Sequence, residues 1–84
     1  LAKQTLGNIA VHGAKGSLTG PIERNDIATV KHHLEALKKS SKELLTFYIL
    51  MGIETVKLAL NKKSITKKQS SDLYKLFSNY IIKQ

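Results

Sequence analysis

The chain has no cysteine and no tryptophan, and only one proline, one methionine and one arginine. Without cysteine there is neither a disulfide framework nor a thiolate metal site, which fits the reducing cytoplasm expected for the protein. Long apolar runs are missing too. The most apolar stretch, LLTFYILMGI from Leu44 to Ile53, ends where Glu54 and Lys57 interrupt it. It is half the ~20 residues that a membrane helix needs, and so reads as a buried core helix. No secretory signal pattern is visible, and no membrane partner is expected.

The motifs of self-contained chemistry are also absent. There is no HExxH, no CxxC, no serine in a nucleophile elbow and no GxGxxG. Of the histidines, His12, His32 and His33, the adjacent pair point about 100° apart on a helix and cannot chelate one ion as an i, i+4 pair does. No metal site is expected. His33 falls on the edge of an apolar stripe, with His32 facing solvent.

Acidic residues are scarce: six against fourteen basic ones, for a net charge of +8. Such a balance suits nucleic acid, an anionic surface or a phosphate-bearing ligand. Thirteen of the fourteen are lysine, whereas nucleic-acid sites lean on arginine for bidentate contacts. The lysines spread over several helix faces and read first as solvated surface. A small basic nucleic-acid module, resting on Lys38, Lys39, Lys42 and on Lys62, Lys63, Lys67, Lys68, is the alternative.

What is present is helical periodicity. At 84 residues a chain buries only about 60–65% of its unfolded surface, so one thin core is expected. The pattern predicts an all-α domain of about four helices. The first covers roughly Leu1 to His12 and stops at Gly13. A loop of about twelve residues follows, in which Gly20 is expected outside the α region because Pro21 follows it. The second helix runs from about Ile27 to Lys39, with Asp26 as N-cap and a stripe of Ile27, Val30, Leu34 and Leu37.

The third helix is expected to open on a capping box of Ser40 and Glu43 and to reach about Asn61. Leu45, Tyr48, Ile49, Gly52, Val56, Ala59 and Leu60 form one of its faces. Leu44, Phe47, Met51 and Leu58 form a second. A helix apolar on two faces needs neighbours on two sides, so a partner chain or a further domain is expected. The fourth helix begins near Thr66 or Ser70, with Thr66 and Gln69 as a capping box. Lysines in its first turn oppose the helix dipole and predict a frayed start. Because the sequence begins on Leu1 inside an apolar-periodic run, residues 1–84 are read as one helical domain of a longer chain.

The rare backbone residues gather in or just before SLTGPIERND, Ser17 to Asp26: Pro21 and Gly20 lie in it, Gly13 and Gly16 just ahead of it. Arg24 stands just before a helix start, where free N–H groups can meet an anion. The plainer alternative is that Arg24 pairs on the surface with Asp26 or Glu23, and that Asp26 only caps.

The run LTGPIERNDIATVKHHLEAL, Leu18 to Leu37, resembles the signature of a bacterial family. That family joins an N-terminal NAD(P)-type Rossmann domain to a C-terminal helical domain of unknown function. Leu18, Thr19, Gly20, Pro21, Ile22, Arg24, Asp26, Thr29, Val30, His33 and Leu34 carry the resemblance in order and spacing. TLGNI before the run and YILMGIETVKLA after it extend it to roughly Thr5–Leu60. Glu23 and Asn25 depart from the small residue and the glycine common at their positions, and Glu23 adds a negative charge.

The resemblance implies a fold related to the helical domains of 6-phosphogluconate-dehydrogenase-like and pyrroline-carboxylate-reductase-like enzymes. It implies a domain that closes over NAD(P) held by the Rossmann domain, lines the cleft for a small anionic substrate and forms a homodimer. The cleft would be walled by Thr19, Gly20, Pro21, Arg24, Asp26 and Thr29, with His33 as a proton donor or a packed supporting residue. A purely structural dimerisation domain is a further alternative.

Overall fold

The computed structural model describes residues 20–82. The expected first helix and Thr19 lie outside them. Residues 20–23 form a helical turn, not the loop expected there with Gly20 outside the α region. One feature eases Pro21 into that turn. Gly20 has no Cβ to clash with the proline ring, which removes much of the usual bias against the α region before proline.

The turn closes with paired backbone bonds, Asp26 N–H to Pro21 O (2.7 Å) and Asn25 N–H to Ile22 O (3.0 Å). This is a Schellman ending, with Asn25 at the left-handed position, φ 53°. Asparagine accepts that conformation more readily than most residues. Asp26 then caps helix α1, Ile27–Ser40, by accepting from the Thr29 N–H.

Helix α1 buries Val30 and Leu34, with Ile27 and Leu37 packed at the core margin. It continues through Ser40, and the break falls one residue later than expected. Ser41 is extended (φ −159°, ψ 119°) and its hydroxyl accepts from Leu44 N–H at the start of α2, Lys42–Asn61. The expected Ser40–Glu43 box is therefore not formed. Ser40 still belongs to α1, where its hydroxyl reaches Leu37 O at 3.4 Å.

Helix α2 presents Leu45, Tyr48, Ile49, Gly52, Val56 and Ala59 inward, the face the periodicity predicts. It ends in a second Schellman turn, Ser64 N–H to Ala59 O and Lys63 N–H to Leu60 O, with Lys63 at φ 62°. Buried Ile65 pins the connection. Helix α3, Lys67–Ile82, opens on the expected capping box: Gln69 N–H to Thr66 Oγ1 (3.1 Å) and Thr66 N–H to Gln69 Oε1 (2.9 Å). That reciprocal pair satisfies two otherwise orphaned donors. The helix is formed from Lys67 onward despite its basic first turn.

Helix α2 packs against both α1 and α3, which also touch each other. The shared core joins Ile22 of the 20–23 turn, Val30 and Leu34 of α1, Tyr48, Ile49 and Val56 of α2, and Leu73, Phe77 and Tyr80 of α3. The second face of α2 is only partly covered among the described residues. Leu44 and Leu58 are exposed, while Phe47 and Met51 are half-buried. Leu50 and Ile81 flank a shallow apolar hollow on the same molecule.

Candidate functional site

The Schellman turn and the cap of α1 set the polar residues of the signature side by side. Arg24 directly follows the helical turn, its N–H bonded to Gly20 O at 3.1 Å. Its guanidinium folds back over Gly20, where an added Cβ would lie 2.9 Å from Nη1. The missing side chain of Gly20 thus makes room for the arginine. Arg24 Nη2 stands 3.9 Å from Asp26 Oδ2, and the arginine side chain is 65% exposed. This is a loose surface pair that, among the described residues, leaves most of the five guanidinium donors free.

Asp26 is occupied by Thr29. Its Oδ1 accepts the Thr29 N–H at 3.2 Å and its Oδ2 accepts the Thr29 hydroxyl at 2.7 Å. The Thr29 hydroxyl bond, the Thr29 backbone bond and the Arg24 charge hold the carboxyl below its ordinary range, against some desolvation. Asp26 is a fixed anion that organises the helix start rather than a free base.

One turn further on, His33 is half-buried. Its Nδ1 lies 2.8 Å from the hydroxyl of Tyr48 on α2. The two rings meet edge to face, with centroids 5.8 Å apart and an interplanar angle of 83°. Tyr48 is 4% exposed, and burial pushes its phenol well above the ordinary value. It therefore stays a neutral O–H donor at any ordinary pH.

Arg24, Asp26, Thr29 and His33 thus form one polar ridge from the end of the turn along the first half of α1. Pro21 is buried and contributes through its carbonyl, which fixes Asp26 N–H. Gly20 contributes through the space it leaves. Glu23 turns away to bond Lys62 Nζ at 2.6 Å, so its charge is spent at the end of α2. The Asn25 side-chain oxygen is buried without a hydrogen-bond partner; the described residues give no physical account of it.

Tyr48 escaped the sequence reading, which placed it only on a core face. A tyrosine buried on an apolar face needs a partner for its hydroxyl, and that was the available signal. The partner, fifteen residues away, is set by helix packing and is invisible to local spacing. A second unforeseen cluster ties α1 to α3. Tyr80 O–H donates to Glu35 Oε2, and Lys38 Nζ stands 6.0 Å from the Tyr80 ring centroid. Desolvation and the bonded carboxylate raise the Tyr80 phenol to about 12, while that bond lowers Glu35 despite desolvation.

The lysine clusters do not merge. Lys38, Lys39 and Lys42 sit at the α1–α2 junction, and Lys62, Lys63, Lys67 and Lys68 sit at the α2–α3 junction. Those junctions bound a helix of 20 residues, about 30 Å long. Lys62 and Lys68 are also paired, with Glu23 and Asp72. Among the described residues no three His, Cys, Asp or Glu side chains gather as a metal site. No described helix is long and apolar enough to cross a membrane.

Residues 1–55 match the family described as a domain of unknown function, DUF2520. The match covers well over half of the chain, which belongs to this family. It contains the whole ridge and Tyr48, and it ends within α2, so α3 lies beyond it. No curated protein and no solved structure matches the chain.

Proposed function

We propose that this chain is the helical cleft domain of an NAD(P)-dependent oxidoreductase, joined to a preceding Rossmann domain that holds the dinucleotide. Its contribution is a wall against which a small substrate and the nicotinamide end are positioned. One observation carries the reading. The ridge spends Asp26 and Thr29 on each other, yet leaves the Arg24 guanidinium and one His33 nitrogen uncommitted among the described residues. Free polar groups beside a rigid helix start suit a ligand bearing oxygen acceptors, such as a small carboxylate. His33 is the one ridge residue of a side-chain type that commonly serves as general acid or base.

The partly bare second face of α2 favours a homodimer as the second part of the reading. Leu44 and Leu58 of that face are exposed (43% and 62%), which is costly for a helix whose opposite face is already buried. Sedimentation of the protein should give a dimer, and Leu58→Asp should shift it to monomer.

The cleft reading is tested on the protein carrying its natural preceding sequence. NADPH or NADH fluorescence should change on binding. Arg24→Ala should lower kcat/KM by roughly 10–100-fold, the worth of a charged hydrogen bond, with the melting midpoint nearly unmoved. Absence of nicotinamide binding, or full turnover in Arg24→Ala, overturns it.

A further inference from the structure

We infer that Tyr48 is a positioning residue which fixes His33 as the Nε2–H tautomer, so that the histidine faces the cleft as a hydrogen-bond donor. The inference builds on the cleft reading, but its test needs neither nucleotide nor substrate.

The argument starts from the shared hydrogen bond. A neutral imidazole has one N–H donor and one acceptor nitrogen, and the neighbour of one nitrogen decides which is which. His33 Nδ1 and the Tyr48 hydroxyl are 2.8 Å apart, so one must donate. If Nδ1 carried the proton, the Tyr48 oxygen would accept and its own O–H would need another acceptor. Tyr48 is 4% exposed, and His33 is its one side-chain hydrogen-bond partner among the described residues. A buried donor without an acceptor is the costly arrangement, whereas an unused phenol lone pair costs little. The phenol is also held protonated by its burial. Tyr48 therefore donates, Nδ1 accepts, and the proton of the neutral ring sits on Nε2.

The edge-to-face packing keeps the ring in that orientation. Nε2 lies on the ring edge opposite Nδ1, pointing away from the Tyr48 hydroxyl. With Arg24, the ridge then offers N–H donors at two points. A ligand seated along it meets them with acceptors, a carboxylate or carbonyl oxygen.

The test is the tautomer itself, read from the imidazole nitrogen resonances of the 84-residue chain labelled with nitrogen-15 and held where the rings are neutral. Exposed His32 serves as internal reference. In the unmodified protein His33 should be almost wholly the Nε2–H form. In Tyr48→Phe, which removes one oxygen, that preference should collapse toward the mixture shown by His32. Tyr80→Phe, which removes the other buried phenol hydroxyl, should leave it intact. A wild-type His33 that is Nδ1–H or mixed overturns the inference without any variant. So does a Tyr48→Phe protein, folded by its amide spectrum, in which the tautomer is unchanged. A fixed Nε2–H tautomer in a protein that binds no nicotinamide would uphold this inference while removing the oxidoreductase reading.

Discussion

Gly52 of α2 and Phe77 of α3 occupy one volume: a Cβ on Gly52 would sit 2.5 Å from Phe77 Cζ and 3.0 Å from Cε1. Phe77 is 1% exposed, so its ring has nowhere to go. Replacing the glycine by alanine gains about 1 kcal/mol of helix propensity. Overpacking costs about 1–3 kcal/mol. Gly52→Ala should therefore destabilise by about 1 kcal/mol net in urea melts. Combining it with Phe77→Leu should relieve the clash, seen as a favourable coupling in the double-mutant cycle. An alanine variant more stable than the wild type would contradict the close approach.

The two serines at the α1–α2 junction have different jobs. Ser41 caps α2 through Leu44 N–H at 3.2 Å, while Ser40 ends α1. Ser41→Ala should cost about 1 kcal/mol. Ser40→Ala should stay within about 0.5 kcal/mol of the wild type. Chemical denaturation of the two variants side by side checks this, and the opposite ranking would restore the cap at Ser40.

The Tyr80–Glu35 bond makes stability depend on pH at both extremes. Glu35 is held below its ordinary value of 4.5, chiefly by the Tyr80 hydrogen bond. Its contribution is present above pH 4.5 and is lost as the pH falls through the lowered folded value. Tyr80 is raised from 10.0 to about 12, by desolvation and then by Glu35. Its contribution is present below pH 10 and is lost as the pH climbs toward 12. Tyr80→Phe should flatten both limbs of a plot of melting midpoint against pH. An unchanged acid limb would mean that Glu35 gains nothing from the tyrosine.

Much of the fold was legible in the sequence because its signals are local. The inward face of α2, the Thr66–Gln69 box and the Asp26 cap each follow from spacing within two turns of one helix. Ser40 misled because Ser40 and Ser41 are adjacent good caps, and only Ser40 has a glutamate three residues on. Which serine breaks the helix is decided by where α1 and α2 pack, not by the box. Gly20–Pro21 misled because the bias against helix before proline is weaker for glycine. At the site, Asp26 was expected as the cap of its helix, and Thr29 was named only through the family resemblance. Their mutual bonding, the fold-back of Arg24 over Gly20, and the Tyr48–His33 and Tyr80–Glu35 pairs arise from three-dimensional contacts that no short window contains.

The central claim, that the ridge from Arg24 to His33 faces the nicotinamide end of a bound dinucleotide, is most directly tested by nuclear Overhauser contacts in the protein carrying its natural preceding sequence. With NADPH bound, the nicotinamide ring protons should show contacts to the Thr29 methyl group and to the His33 ring protons. NADPH that binds but whose nicotinamide protons contact neither residue, in the presence or absence of substrate, would contradict the claim.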